Sequence, residues 1–270
     1  MDKDAFEILR LLAKGGQKVV YLAQNRKDHS VVLIKEAQIA SMSSWERIGR
    51  EINLLSQLDS EFFPKNYGSN FDIADNKFTI IEEYIEGEPL RNVMKNYNDW
   101  SSIKTLIINL IDGLSIVWDK NIVHRDLKPE NIIIRPNGKP CIIDFGIARF
   151  LEKESLTNTL QMYGPCSLGY ASPEQLNNEK NIIDQRTDFF ALGIMILEMY
   201  LGEHPFSPQL NEGTMSIVEN ILANKYVLST PSKAENPNIS ALCRRLLQTQ
   251  PYNRFRNYLL FKQFIETSLV

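Results

Sequence analysis

The sequence predicts an α+β fold in two lobes: a small antiparallel β-rich lobe with one helix over residues 1–84, then a larger, mainly α-helical lobe over 85–270. Three observations carry this expectation. Short apolar runs rich in β-branched residues recur in the first third of the chain, whereas apolar residues at three- and four-residue steps dominate the remainder. The change of period falls near Tyr84, and the helix-breaking connector Glu86-Gly87-Glu88-Pro89 follows at once. With 270 residues the chain has room for one large domain or two small ones.

In chain order, Val19–Leu22 and Val31–Ile34 form a hairpin across the polar turn Asn25–Ser30. Ser43 followed by Glu46 is a capping-box signal, and Trp45, Ile48, Ile52 and Leu55 line one face of the helix it opens, which carries Glu51 near its middle. Phe78–Ile81 is a strand. After the connector, Ser101 or Ser102 caps a long helix with Ile103, Leu106, Ile107, Leu110, Ile111, Leu114 and Val117 on its apolar face, stopping before Asn121. Ile132–Ile134 and Cys141–Ile143 make a second small hairpin, and further helices are expected at Phe189–Tyr200, Met215–Ala223 and Ile239–Leu247. No internal repeat or low-complexity segment interrupts the pattern.

Composition narrows the class. Hydrophobic residues are 43% and charged residues 23% of the chain, ordinary for a folded globular protein. The 30 Lys+Arg against 33 Asp+Glu, a net charge of −3, form no basic block, so no nucleic-acid partner is expected. The longest apolar stretch, Phe189–Leu197, is far short of the roughly 20 residues that span a bilayer, and no transmembrane segment is expected. Asp2, Lys3, Asp4 and Glu7 do not resemble a secretory signal, which makes the cytoplasm the expected location. Cys141, Cys166 and Cys243 are widely spaced, without the pattern of a disulfide framework or a zinc site, and His29, His124 and His204 add no metal cluster.

The densest chemistry is His124-Arg125-Asp126-Leu127-Lys128-Pro129-Glu130-Asn131, followed by an apolar run and Asp144-Phe145-Gly146. Phosphoryl transfer from a nucleotide requires oxygen ligands for Mg²⁺, a cation for the phosphates and a carboxylate that orients the attacking hydroxyl. Asn131 and Asp144, Lys128, and Asp126 are residues of those types.

In these motifs the sequence resembles the catalytic domain of eukaryotic-type (Hanks-type) serine/threonine protein kinases, and the resemblance covers nearly the whole chain. It implies the two-lobed kinase fold and transfer of the ATP γ-phosphate to Ser/Thr hydroxyls of protein substrates, autophosphorylation included. ATP with Mg²⁺, or Mn²⁺, would be the cofactors. Asp126 would be the catalytic base, Lys128 the cation at the transferring phosphoryl group, and Asn131 and Asp144 the metal ligands. Val32-Leu33-Ile34-Lys35 resembles the V-A-I-K strand, so Lys35 would hold the α- and β-phosphates and pair with Glu51. The glycine-rich loop is degenerate, with only Gly15 in register and Gly16 added, and Lys14 or Lys18 could supply charge there. Adenine would contact Val20 and Ile133 and bond to the Glu83 carbonyl and Ile85 N–H.

Leu33 replaces the family's small alanine. Glu82 stands at the gatekeeper position, where a carboxylate needs a partner. Ser172-Pro173-Glu174 is similar to the A-P-E motif, with Arg254 placed to pair with Glu174, and Asp188 resembles the start of the family's long buried helix. The segment Asp144–Glu174 contains Ser155, Thr157, Thr159, Tyr163 and Ser167. Arg125 resembles the arginine that binds a phosphate on that segment, and Glu152 or Glu154 could neutralise it in place of that phosphate. Two rivals differ in class: a pseudokinase, suggested by the altered glycine loop, Leu33 and Glu82, and a small-molecule phosphotransferase, disfavoured by Glu174 and Arg254.

Overall fold

The computed structural model describes residues 5–14, 18–38, 58–72, 74–144, 168–211, 213 and 215–267. They divide into two compact units. One takes the described residues through Glu86 together with Ile143 and Asp144; the other takes Gly87–Ile142 and the described residues from Leu168 onward.

The first unit is an antiparallel sheet of β1 (Phe6–Lys14), β2 (Lys18–Asn25), β3 (Val31–Gln38), β4 (Asn66–Asp72) and β5 (Lys77–Glu83), in the order β1-β2-β3-β5-β4. The expected β2–β3 hairpin and β5 are present. Its turn is closed by Asp28, whose carboxylate accepts from the Ser30 N–H at 2.9 Å and the Ser30 hydroxyl at 2.6 Å. Register then sorts the side chains. Tyr21 faces Ile34, Ala23 faces Val32 and Ile34 faces Ile81, so these residues pack one side of the sheet, where Phe6 and Tyr21 cover the buried cluster. Val20, Leu33, Lys35, Ile80 and Glu82 alternate with them and occupy the other side. A one-residue slip would exchange the two sets, so burial of the first fixes which face of the sheet carries the second. The two outer strands carry bulges, as sheet edges commonly do.

The second unit begins with β6 (Glu88–Pro89), where the sequence suggested only a connector. It pairs with β7 (Ile132–Ile134), which pairs in turn with β8 (Pro140–Ile142). Gly87 makes the approach possible: its φ is +148°, and a Cβ there would lie 2.3 Å from the Ile134 carbonyl oxygen. The short α1 (Leu90–Val93) precedes α2 (Trp100–Trp118). The α2 cap is Asp99, not Ser101 or Ser102. The Asp99 carboxylate accepts from the Ser102 N–H at 3.0 Å, which satisfies a free donor of the first turn. By length and composition α2 could cross a membrane, a property hidden from the search for uninterrupted apolar runs. Ile103, Leu106, Ile107, Leu110, Ile111, Leu114 and Val117 are instead buried, the stripe that periodicity predicted.

After α3 (Pro173–Leu176) comes α4 (Gln185–Leu201), buried on nearly every side and ended by Gly202 in the left-handed conformation at φ 78°. α5 (Ile217–Leu222) has a Ser216/Glu219 capping box, and α6 (Pro237–Leu246) is capped by Asn236. α4 and α6 meet closely at Gly193, where an added Cβ would lie 2.8 Å from the Leu246 Cβ. A last helix, α7 (Tyr258–Thr267), was not expected; it buries only Phe261 and Ile265, a stripe one residue wide. The helix expected around Glu51 lies outside the described residues.

Candidate active site

In the first unit the site grows from β3. Lys35 faces Val20 on β2 and Ile80 on β5, and its side chain is only 9% exposed. Its Nζ lies 2.6 Å from Glu82 Oε2 and 2.5 Å from Asp144 Oδ1. Burial works against the ammonium, but Asp144 and then Glu82 outweigh it and raise Lys35 above the ordinary lysine value. The partner that the Glu82 carboxylate required is therefore Lys35. Leu33 sits directly opposite Glu82 in the ladder. Glu83 is tied to Lys65: its N–H donates to the Lys65 carbonyl at 2.8 Å, and its carboxylate accepts from the Lys65 N–H at 3.1 Å. The N–H of buried Ile85 has no hydrogen-bond partner among the described residues. Asp144 adopts a left-handed backbone, φ 56°. Gly15, Gly16 and Glu51 lie outside the described residues.

In the second unit the catalytic loop hangs from one buried carboxylate. Asp188 at the start of α4 accepts from the His124 N–H and the Arg125 N–H at 2.9 Å each and from the Trp118 indole at 2.8 Å. Arg125 has φ 65°, a left-handed conformation that costs a non-glycine residue on the order of 1–3 kcal/mol. The bonds to Asp188, with the Gln175 side chain donating to the Arg125 carbonyl at 2.8 Å, hold it there. Asp126 follows directly. A 3-10 turn, Pro129–Asn131, brings the Asn131 amide nitrogen back to the Asp126 carbonyl at 2.8 Å and to Asp126 Oδ2 at 3.0 Å. Lys128 Nζ is 3.1 Å from the same Oδ2. The sequence-predicted Asp126, Lys128 and Asn131 are thus brought together, and Ile133 follows on β7, opposite Cys141.

The donor chemistry suits Mg²⁺. In the second unit Asn131 commits its amide nitrogen to Asp126, so the group it has to offer a metal is its amide oxygen; in the first unit Asp144 carries a carboxylate; each is a hard oxygen donor. Among the described residues no group of three or more His, Cys, Asp or Glu could hold a metal alone. A phosphate-bound Mg²⁺ needs only one or two protein carboxylates, the rest of its shell coming from phosphate and water.

Sequence reasoning missed a second polar cluster beside this loop. The Arg91 guanidinium, on α1, donates to Glu130 Oε1 and to Glu198 Oε1 at 2.7 Å each and also to the Tyr170 hydroxyl, which in turn donates to Glu198. Arg91 thereby ties the catalytic loop at Glu130 to α4 at Glu198. Arg91 and Glu198 stand 107 residues apart, so no local spacing could reveal the pair. The A-P-E-like pair, by contrast, was anticipated: Arg254 Nη1 meets Glu174 Oε1 at 2.7 Å. The loop residues Ser155, Thr157, Thr159, Tyr163 and Ser167 lie outside the described residues.

Comparison with known proteins agrees with this geometry. Residues 6–267 match the family model described as protein kinase domain. The chain is 27% identical over 262 residues to a probable serine/threonine-protein kinase of Clostridium perfringens, covering 93% of this chain and 36% of that protein. It is 30% identical over 263 residues to the serine/threonine-protein kinase PrkC of Bacillus subtilis, covering 93% and 38%. To an Aurora kinase of Dictyostelium discoideum it is 30% identical over 256 residues, covering 93% and 63%. The chain spans less than two-fifths of the length of the two bacterial relatives.

Proposed function

The chain belongs to the protein kinase domain family, and on that premise we propose that it transfers the ATP γ-phosphate to serine and threonine hydroxyls of proteins, itself included. The observation that carries the reading is the catalytic loop, where Asn131 and Lys128 hold one carboxylate oxygen of Asp126. Asp126 orients the substrate hydroxyl and accepts its proton, and Lys128 faces the charge that develops on the transferring phosphoryl group. Lys35 holds the α- and β-phosphates, with Glu51 as its further partner. The Glu83 carbonyl and Ile85 N–H bind adenine, Val20 and Ile133 pack against it, and Gly15 and Gly16 let the backbone approach the phosphates. Asn131 and Asp144 would hold Mg²⁺, or Mn²⁺, which when bound neutralises phosphate charge. The preference for Ser/Thr over Tyr rests on the resemblance at Lys128 and Pro129 and on the similarity to proteins named serine/threonine-protein kinases.

The test is incubation of the chain with labelled ATP and Mg²⁺. Label should appear on the chain itself or on a generic basic protein, and Lys35→Met should reduce it by on the order of tenfold or more, as for a lost charge-assisted contact. ATP binding without any transfer would favour the pseudokinase. We further place the protein in the cytoplasm, a reading supported by Cys141 and Cys243, which are buried, free thiols.

Phosphorylation within Ser155, Thr157 or Thr159 is expected to raise activity, because a phosphate adds about −1.5 to −2 charge that Arg125 would attract. Changing all three to Ala should lower turnover and leave ATP affinity unchanged. A fully active enzyme with no phosphate between Asp144 and Glu174 by mass spectrometry contradicts this.

A further inference from the structure

Glu82 stands where an apolar gatekeeper is common in the resembling family, yet it does not face a void. Along the β3–β5 ladder Lys35 lies opposite Ile80 and Leu33 lies opposite Glu82, so Lys35 and Glu82 are diagonal neighbours on one sheet face. Such diagonals are about 7–8 Å apart, within reach of a lysine and a glutamate side chain extended toward each other. Here the charged ends meet at 2.6 Å, with the two side chains 9% and 17% exposed. Both residues are held by the sheet backbone. Asp144, the other partner of Lys35, lies beyond β8, outside any strand, and its side chain is more open at 29%.

Charge accounting separates the two carboxylates. Lys35 carries one positive charge against one negative charge each on Glu82 and Asp144, so the trio holds one carboxylate in excess. A cation bound at Asp144 would draw that carboxylate away and leave Glu82 as the described partner of Lys35, in a half-buried pair of no net charge. An apolar residue at position 82 would instead leave the buried ammonium dependent on Asp144 among its described partners, and an under-paired buried charge is costly.

We propose that Glu82 is a positioning residue for Lys35, anchoring its ammonium to the sheet so that it stays at the nucleotide-binding face when Asp144 turns its oxygens to a cation. The proposal rests on the kinase reading above and adds a residue to its machinery. It also takes Glu82 out of the argument for a pseudokinase, since the departure supplies a counter-ion to Lys35 instead of removing one.

The test compares wild type, Glu82→Gln, Glu82→Met, Lys35→Met and the double variant Lys35→Met/Glu82→Gln, with folding monitored by circular dichroism. Binding of a fluorescent ATP analogue is measured in EDTA and in Mg²⁺, and transfer kinetics are measured in Mg²⁺. Both Glu82 variants should bind the analogue about tenfold more weakly, in EDTA as well, and raise the KM for ATP while the KM for the protein substrate stays put. The double variant should bind no more weakly than Lys35→Met alone, because Glu82 acts through Lys35. If Glu82→Gln fails to fold, Glu82→Met carries the test. Binding by the Glu82 variants equal to or tighter than wild type, or a loss that adds fully to that of Lys35→Met, overturns the proposal while an active wild type leaves the kinase reading standing. A wild type that neither binds ATP nor transfers phosphate overturns both.

Discussion

Asp126→Asn should lower turnover by about 10²- to 10⁴-fold, the range for loss of a general base, while ATP affinity stays near that of the wild type. The structure explains why the two effects should separate. Asp126 Oδ2 is held by Asn131 and Lys128, all within the catalytic loop, so an amide at position 126 removes the proton acceptor without touching Lys35, Glu83 or Ile85. Asp144→Asn should also abolish most transfer, but through binding: the amide is a poorer Mg²⁺ ligand and loses the ion pair with Lys35. Its ATP affinity should fall in Mg²⁺. Single-turnover transfer at saturating ATP, alongside equilibrium binding, distinguishes the two variants. Wild-type turnover in either one would remove the mechanism proposed above.

How far the sequence revealed this site depended on whether its chemistry was local. The catalytic loop is eight consecutive residues, so its order alone pointed to phosphoryl transfer, and the β2–β3 hairpin was legible because β-branched runs flank a polar turn. β4 was not, because Asn66-Tyr67-Gly68-Ser69-Asn70-Phe71-Asp72 has no apolar run and is a strand by virtue of pairing with β5. β1 was missed for a related reason: Ile8, Leu9, Leu11 and Leu12 are all exposed and show no alternation. The sequence predicted that Glu82 needs a partner but could not name it. Naming it requires the β3–β5 register, which a count along the chain does not contain. Arg91, Glu130, Tyr170 and Glu198 illustrate the same limit, since four residues from four separate stretches of the chain meet only after folding.

The largest stability effect is expected at Arg254, whose removal should cost about 3–5 kcal/mol by leaving the Glu174 carboxylate buried and unpaired. Both side chains are sealed, at 0% and 1% exposure. Every guanidinium N–H of Arg254 has an acceptor: Nη1 and Nη2 fork onto Glu174 at 2.7 and 2.9 Å, and the remaining donors reach the carbonyls of Arg186, Thr249 and Gln248. Thr187 donates to Glu174 as well, at 2.8 Å. Arg254 therefore ties α3, the start of α4 and the segment after α6 to one point, and α4 is the helix whose Asp188 supports the catalytic loop. Lysine has three donors and no fork, so Arg254→Lys should also destabilise the fold. Urea unfolding followed by helical circular dichroism should show Arg254→Ala and Glu174→Ala each shifted strongly, and the double variant shifted by less than their sum, because the second change removes the charge that the first left stranded. The pair also sets an acid limit. Burial alone would raise the Glu174 carboxyl, but its bonds to Arg254 outweigh burial and lower it below the ordinary glutamate value. A depressed carboxyl contributes stability above the ordinary glutamate range and loses it as pH falls through the lowered value. Wild type should thus lose stability on acidification through that window, and Glu174→Gln, which has no proton to take up there, should lose less. Equal acid sensitivity of the two, or an Arg254→Ala variant as stable as wild type, would show that the buried pair is not what holds these elements together.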